Sequence, residues 1–407
     1  MNGTNSRTGP ILILTIANGA GHNRAAAAIA TAIDPLQQSS RVRVVDVADY
    51  MSPIARFTHV TAYLWLVKYA PVIWDHIDKY QKRQTHTSPD WYYRAGCRRL
   101  ISLVRDLGPS AVVATEVGCC EIAALIKREL SLHEVPLMAV NVNYDADCAW
   151  VKDEVDMYCV ATEQARRELL RHGASPDRVR ITGVPLESAF SSRTSRRQAQ
   201  REVRQWLNLT TELPLILLAG GSEGFGRIEE IAERLLKLET PKVQLVVLTG
   251  RNARLQQRLI RLAQKRFDER LHILPWTTQV AKLMQAADLL VSKLGNTFDE
   301  AMAAELPLVA LQPPPGSERV QYELLETWGV GIAVSTIDEL VAAVSRLLSE
   351  EHTLAGMRLQ ARLRGRLNAA TTIAELIPTQ EPLAADVISE FPSSERCTVP
   401  REGFQCR

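Results

Sequence analysis

Short apolar runs alternate with helical-looking stretches along most of the chain. In the first half the runs are ILILTIA (11–17), VRVVDVA (42–48), SAVVATE (110–116), PLMAVNV (136–142), MYCVAT (157–162) and VRITGV (179–184), with helical runs such as 118–130 and 163–172 between them. Strands of a parallel sheet are covered on both faces by crossover helices, so they read as continuous apolar runs. After a charged, helical-looking bridge at 191–208 the pattern restarts with LPLILLAGG (213–221), KVQLVVLTG (242–250), RLHILPW (270–276), ADLLVSKLG (287–295) and LPLVALQPP (306–314). Two successive series of this kind predict an α/β protein of two doubly wound domains facing one cleft, over 1–200 and 201–378. Residues 379–407 are rich in Pro, Ser and charge and read as a poorly ordered tail. No short internal repeat interrupts the pattern.

The length of 407 residues agrees with two domains rather than one core. The formal net charge of +2 gives no global argument for nucleic acid. The polar leader Met1–Pro10 lacks the basic and apolar regions of a signal peptide, and no window approaches about 20 uninterrupted apolar residues. Seven cysteines, an odd number with no C-x-x-C pair and with Cys119 and Cys120 adjacent, point to free thiols in a reducing cytosol.

Chemistry concentrates at glycine turns. In NGAGHNRAA (18–26), Gly19 and Gly21 fall where a strand feeds a helix, and bare N–H groups at a helix start can meet an anion. A dinucleotide fingerprint would need a small residue where Arg24 stands; Asp46, at the end of the next strand, is placed like a ribose-binding acid, but acids there are common. A second turn, LLAGGSEGFGR, opens the second domain at Gly220 with Gly221 and the hydroxyl of Ser222. Two such turns, one per domain, suit a diphosphate held in a cleft; ordinary βα turns are the plain alternative. His22 stands at a helix start, where positive potential disfavours imidazolium. It is a candidate general base or, equally, a capping or exposed histidine.

Taken together these residues resemble a known family. NGAGHNRAA resembles the G-x-G-H-x-x-A-A loop of monogalactosyldiacylglycerol synthases and bacterial diacylglycerol glucosyltransferases. YLWLVKYAPVIWDHI (63–77), the stretch 150–190 beginning WVKDEVDMYCVA, AGGSEG, and PPPGSERVQ (313–321) resemble further segments of the same family, over roughly residues 10–350. A more distant similarity is to the N-acetylglucosaminyl transferase of peptidoglycan lipid intermediates. The resemblance implies a GT-B fold of two Rossmann-like domains and an inverting, metal-independent glycosyltransferase. It would move a hexose from a UDP-sugar, its substrate rather than a cofactor, to diacylglycerol in glycolipid synthesis. By position His22 would be the catalytic base. Gly220, Gly221, Ser222, Gly295, Thr297, Glu300, Gly316, Glu318 and Gln321 would bind the donor, with Glu300 on the ribose hydroxyls. Gly19, Gly21, Asn143 and Asp145 would form the phosphate and acceptor loops.

The sequence also departs from that pattern. KLGNTFDEA (293–301) is one residue shorter between lysine and glutamate than the family's segment, which touches the expected phosphate-side contacts of Asn296 and Thr297. Gln321 replaces an asparagine. Asn143 replaces an aspartate and cannot accept a proton, Asp147 falls where a histidine is usual, and Glu116 replaces another histidine. The DAD at 145–147 also matches the D-x-D of metal-dependent transferases, though its surroundings are not of that class, and no metal site is assigned.

Residues 50–106 hold nine of the sixteen Trp and Tyr residues and nine Lys and Arg against four Asp. Phe57, Val60, Leu64 and Val67 recur at helical spacing. Aromatic and basic residues together suit a bilayer interface with anionic lipid, with Trp65, Trp74, Lys82 and Arg83 as candidate contacts; a helical pair packed on the sheet is the alternative. The expectation is a cytoplasmic enzyme, peripheral on the inner face of the cell membrane. Its alternatives are a non-catalytic or substrate-shifted protein that binds a UDP-sugar at the membrane, and a UDP-sugar epimerase.

Overall fold

In the computed structural model the described residues are 9–17, 20–34, 41–83, 89–191, 195–210, 212–221, 224, 226–266, 269–311 and 319–378. The expected tail at 379–407 lies outside them. The first series forms a six-stranded parallel sheet from β1 (Ile11–Thr15), β2 (Val42–Asp46), β3 (Ala111–Ala114), β4 (Leu137–Asn141), β5 (Met157–Val160) and β6 (Val179–Ile181), in the order β2-β1-β3-β4-β5-β6. The second forms another from β7 (Leu215–Ala219), β8 (Gln244–Leu248), β9 (Leu271–Leu274), β10 (Leu289–Ser292), β11 (Leu308–Leu311) and β12 (Gly331–Val334), in the order β12-β11-β10-β7-β8-β9. Every strand predicted from an apolar run is present. β12 is the one the pattern missed, because GIAV is a four-residue edge strand with only its end residues buried.

Inner strands are buried along most or all of their length. β1, β4, β7 and β8 have no exposed position, whereas edge strand β2 leaves Arg43 and Val44 exposed. One core cluster fills the first lobe around Leu12, Val104 and Leu125, and another fills the second around Leu218, Val247 and Val344. A third runs through both lobes, from Ile13 and Ile29 to Phe298, Leu308 and Ile373.

Among the described residues the chain crosses between the lobes twice. The helix Arg196–Leu207 packs on the helix Val280–Ala286 of the second lobe, so the first crossing lies before residue 196. The final helix Ala369–Leu376 returns and packs on the helix Ala20–Ile33 of the first lobe. Near the return, Arg366 donates to the Ile181 carbonyl and Ser191 to the Leu367 carbonyl.

Strand order decides where a ligand can lie. In an open parallel sheet, a crevice forms beyond the carboxyl ends of two neighbouring strands whose connections leave in opposite directions. Those pairs are β1/β3 in the first sheet and β10/β7 in the second. The two glycine turns singled out in the sequence follow β1 and β7.

Candidate active site

Helix Ala20–Ile33 starts beyond β1, and His22 is in its first turn. Its Nδ1 lies 2.8 Å from the carbonyl oxygen of Thr115, just beyond β3. A carbonyl can only accept, so Nδ1 carries the proton and Nε2 keeps its lone pair. Burial lowers the affinity of this imidazole for a second proton, outweighing the opposing pull of the Thr115 carbonyl. The first switch point therefore holds a neutral histidine in the tautomer a general base requires.

Gly21 is helical, and its φ is not left-handed. Its lack of a side chain serves a close approach, since a Cβ there would stand 2.7 Å from Oδ1 of Asn296. This corrects the expectation that Gly21 shapes a phosphate turn: the helix has begun by residue 20, and Gly21 makes room for the second lobe. Asn296 begins the helix Asn296–Ala303 beyond β10, and its Nδ2 donates to the Gly21 carbonyl at 3.2 Å. The helix starts at the two switch points thus face one another.

The same helix carries further contacts to the first lobe. Arg24 Nη1 lies 2.6 Å from Glu300 Oε1, and Arg24 Nε lies 2.9 Å from Glu187 Oε1. Tyr144, beyond β4, donates its hydroxyl to Asp299 at 2.8 Å and sets its ring against Phe298 and Trp328, with centroids 5.6 and 6.2 Å away. Burial pushes Asp299 up to about 7 against the hydrogen bond from Tyr144, and Asp299 Oδ2 is buried with no partner. Burial also pushes Glu300 up to about 7, with Arg24 pulling down and Glu187 pushing up.

The second switch point is built from glycine geometry. Gly221 has φ +74° and Gly224 φ +59°, in the left-handed region that favours glycine. A Cβ on Gly224 would also come within 2.9 Å of the Thr249 carbonyl. Gly220 directly precedes this turn. Gly295 has φ +99°, and Thr297 is half-buried in the first helical turn after it.

Gln321 takes a different role from the expected donor contact. Its Oε1 accepts from the Gly295 N–H at 2.7 Å, its Nε2 donates to the Gly295 carbonyl at 3.4 Å, and the side chain is buried. Both ends of the amide are bonded to the backbone of one residue, Gly295, so Gln321 braces the loop. Asn143 is exposed, with its N–H bonded to Asn141 Oδ1, and the Asp145 carbonyl accepts from Asn141 Nδ2. Asp147 accepts from the Ala149 N–H as a helix cap. Gly19, Ser222, Gly316 and Glu318 lie outside the described residues.

Arg24, His59 and Trp276 had no site role assigned from the sequence. Arg24 served only as an argument against a dinucleotide fingerprint. His59, in a π-helical segment Phe57–Thr61, approaches so closely that a Cβ on Gly118 would stand 2.5 Å from its Nε2. Glu116, beside it, caps the helix Val117–Glu129 by accepting from the Cys119 N–H. Trp276, beyond β9, is half-exposed with the Arg251 guanidinium 4.6 Å from its ring centre. No spacing rule links these residues to their partners; for Trp276 the one cue was an aromatic residue just past a strand.

Residues 53–83 form a helical arm beside the first lobe. Ile54, Phe57, Leu64, Trp65, Tyr69, Val72, Ile73 and Tyr80 on it are exposed. Trp65 is 56% exposed, as a surface contact requires, but Trp74 is half-buried edge-on to Tyr63, with ring centres 4.8 Å apart. That corrects Trp74 from a membrane contact to a brace between two helices of the arm. Lys82 and Arg83 end the helix Pro71–Arg83, and their side chains lie outside the described residues.

Two parallel-sheet lobes, with switch points that meet across a cleft lined by a neutral histidine and a buried carboxylate, define a GT-B protein. Residues 22–186 match the family model for monogalactosyldiacylglycerol (MGDG) synthase, and residues 151–378, more than half of the chain, match that for UDP-N-acetylglucosamine 2-epimerase. Through its second half the chain belongs to the sequence family of UDP-N-acetylglucosamine 2-epimerase, and its first half is similar to MGDG synthases. It is 27% identical over 382 residues to a processive diacylglycerol beta-glucosyltransferase of Bacillus pumilus, covering 92% of this chain and 95% of the relative. Among solved structures, UDP-GlcNAc 2-epimerase from Neisseria meningitidis bound to UDP-GlcNAc has a TM-score of 0.59 at 15% identity, covering 90% of this chain and 98% of that one. MurG of Acinetobacter baumannii has a TM-score of 0.56 at 17% identity, covering 90% and 99%. At these identities the structural likeness speaks for the fold.

Proposed function

We propose that this protein is an inverting glycosyltransferase that moves a hexose from a UDP-sugar to the free hydroxyl of diacylglycerol at a membrane surface. The observation that carries the reading is the bond from His22 Nδ1 to the Thr115 carbonyl at 2.8 Å. It leaves Nε2 basic at the start of a helix that faces the second lobe. There the acceptor hydroxyl gives its proton to Nε2 as its oxygen attacks C1 of the sugar. The bond from C1 to the phosphate oxygen breaks, and the electron pair leaves with UDP. The turn at Gly220–Gly221 presents backbone amides to the growing charge. Glu300 takes the ribose hydroxyls, Gly295 and Thr297 line the same side, and Gln321 holds their loop in place. The names of the relatives support both the sugar transfer and the lipid acceptor.

The arm at 53–83 supplies the lipid side. Its exposed Ile54, Phe57 and Trp65 suit a bilayer interface, and basic residues close by suit anionic headgroups. Among the described residues no helix is long and apolar enough to cross a membrane. A peripheral protein on the inner, cytoplasmic face of the membrane fits this arm.

The test is a panel of UDP-glucose, UDP-galactose and UDP-GlcNAc with liposomes containing diacylglycerol, followed by product analysis. The expected product is a hexosyl-diacylglycerol with inverted configuration, lost by about 10²–10⁴-fold in His22→Ala while UDP binding is retained. Sugar isomerisation without liposomes would instead identify an epimerase. UDP release that does not depend on His22 would refute the assignment of the base.

A further inference from the structure

We propose that Arg24 is a positioning residue for the nucleotide site: from the first lobe it holds the Glu300 carboxylate of the second lobe ionised and oriented, so that its other oxygen can accept the hydroxyls of the donor's ribose. The inference rests on the reading of Glu300 as the ribose-binding acid.

Glu300 has a side chain only 4% exposed, where a carboxylate without a cation would give up its charge. Arg24 supplies the cation at 2.6 Å from Oε1. The ion pair is made through Oε1, so it orients the carboxylate on that oxygen and does not use Oε2. The guanidinium is itself aimed by Glu187, 2.9 Å from Nε and 44% exposed, which grips the opposite edge of the fork. The charged groups facing Glu300 are therefore Arg24 from the Ala20–Ile33 helix, Glu187 from the crossing segment, and Asp299 on its own helix, itself held by Tyr144.

Ionisation matters because hydroxyls donate to a carboxylate in charge-assisted bonds, roughly twice as strong as neutral ones. The fork also spans the cleft, so Arg24 reaches the buried acid from the opposite lobe. Arg24 lies two residues from His22 on one helix, which ties the donor-side acid and the acceptor-side base to a single helix start.

The experiment is calorimetric titration with UDP alone between pH 6 and 9 on the full chain, comparing wild type with Arg24→Gln, Arg24→Lys, Glu187→Gln and Glu300→Gln. UDP's own ionisation is common to all five proteins. Wild-type affinity is expected to fall as pH drops through about 7. Arg24→Gln is expected to bind about tenfold more weakly at pH 7, to recover at pH 9, and to move the inflection upward. Arg24→Lys is expected to stay within about threefold of wild type. Glu187→Gln, a half-exposed change that tests the point even if Arg24→Gln folds poorly, is expected to move the inflection downward, because it removes a negative neighbour. Inflections that do not move in these opposite directions would overturn the role of Arg24. Wild-type affinity in Glu300→Gln would instead overturn the ribose reading of Glu300 itself, whichever way the Arg24 variants behave.

Discussion

The α-carbon of Gly21 and the side chain of Asn296 meet so closely that a methyl group does not fit between them: a Cβ at Gly21 would stand 2.7 Å from Asn296 Oδ1, and Asn296 Nδ2 already bonds the Gly21 carbonyl. One residue is at the start of the first lobe's leading helix, and the other starts the helix after β10. The cleft is closed at this point by the absence of a side chain.

Gly21→Ala should therefore impair catalysis more than folding. Alanine in a helix is worth roughly 0.5–1 kcal/mol over glycine, so thermal stability should hold or rise slightly. The methyl must push Asn296 aside and open the lobes beside His22. We expect about a tenfold loss in kcat/KM, equivalent to about 1.4 kcal/mol, and partial recovery in the double variant Gly21→Ala/Asn296→Ala. A double-mutant cycle checks this, and simple additivity would show that the contact has no part in activity.

Asp299 should cost the protein stability at alkaline pH. Its folded pKa, pushed by burial to about 7, lies above the ordinary 3.8, so the unfolded chain releases this proton more readily. The native state is therefore penalised as pH rises from about 4 to about 7, and the penalty stays constant above that. Asp299→Asn keeps an acceptor for the Tyr144 hydroxyl and removes the charge. It should stabilise the protein at pH 8 by on the order of a few kcal/mol, raising the thermal midpoint, and much less at pH 4, where the wild-type acid is protonated. Thermal unfolding at the two pH values checks this; an equal effect at both would assign the gain to packing instead.

The exposed face of the 53–83 arm should be needed for lipid and not for nucleotide. Phe57 and Trp65 are 60% and 56% exposed and support no core. The double variant Phe57→Ser/Trp65→Ser should lose most sedimentation with anionic, diacylglycerol-containing vesicles, while its UDP titration matches wild type. Undiminished vesicle binding would place the lipid surface elsewhere.

The apolar rhythm of the chain determined much of this protein. Strands such as AVVA and LILLA are apolar throughout because both faces of a parallel sheet are covered, and that property is local enough to read without coordinates. The places of His22 and the left-handed Gly221 were legible for a similar reason: each sits where a strand hands over to a helix, at a place fixed by the secondary structure itself, whereas Gly295 entered only through the family resemblance. What the tertiary structure alone decided are the contacts between residues far apart in the chain. Arg24 finds Glu300, Tyr144 finds Asp299, and Gln321 turns from a sugar contact into a brace for Gly295. Gly21 and Trp74 likewise changed roles once their neighbours were in place. Long-range pairing depends on how two lobes are set against each other. No periodicity along a single strand or helix encodes that setting, because the partner that gives each side chain its role comes from another element.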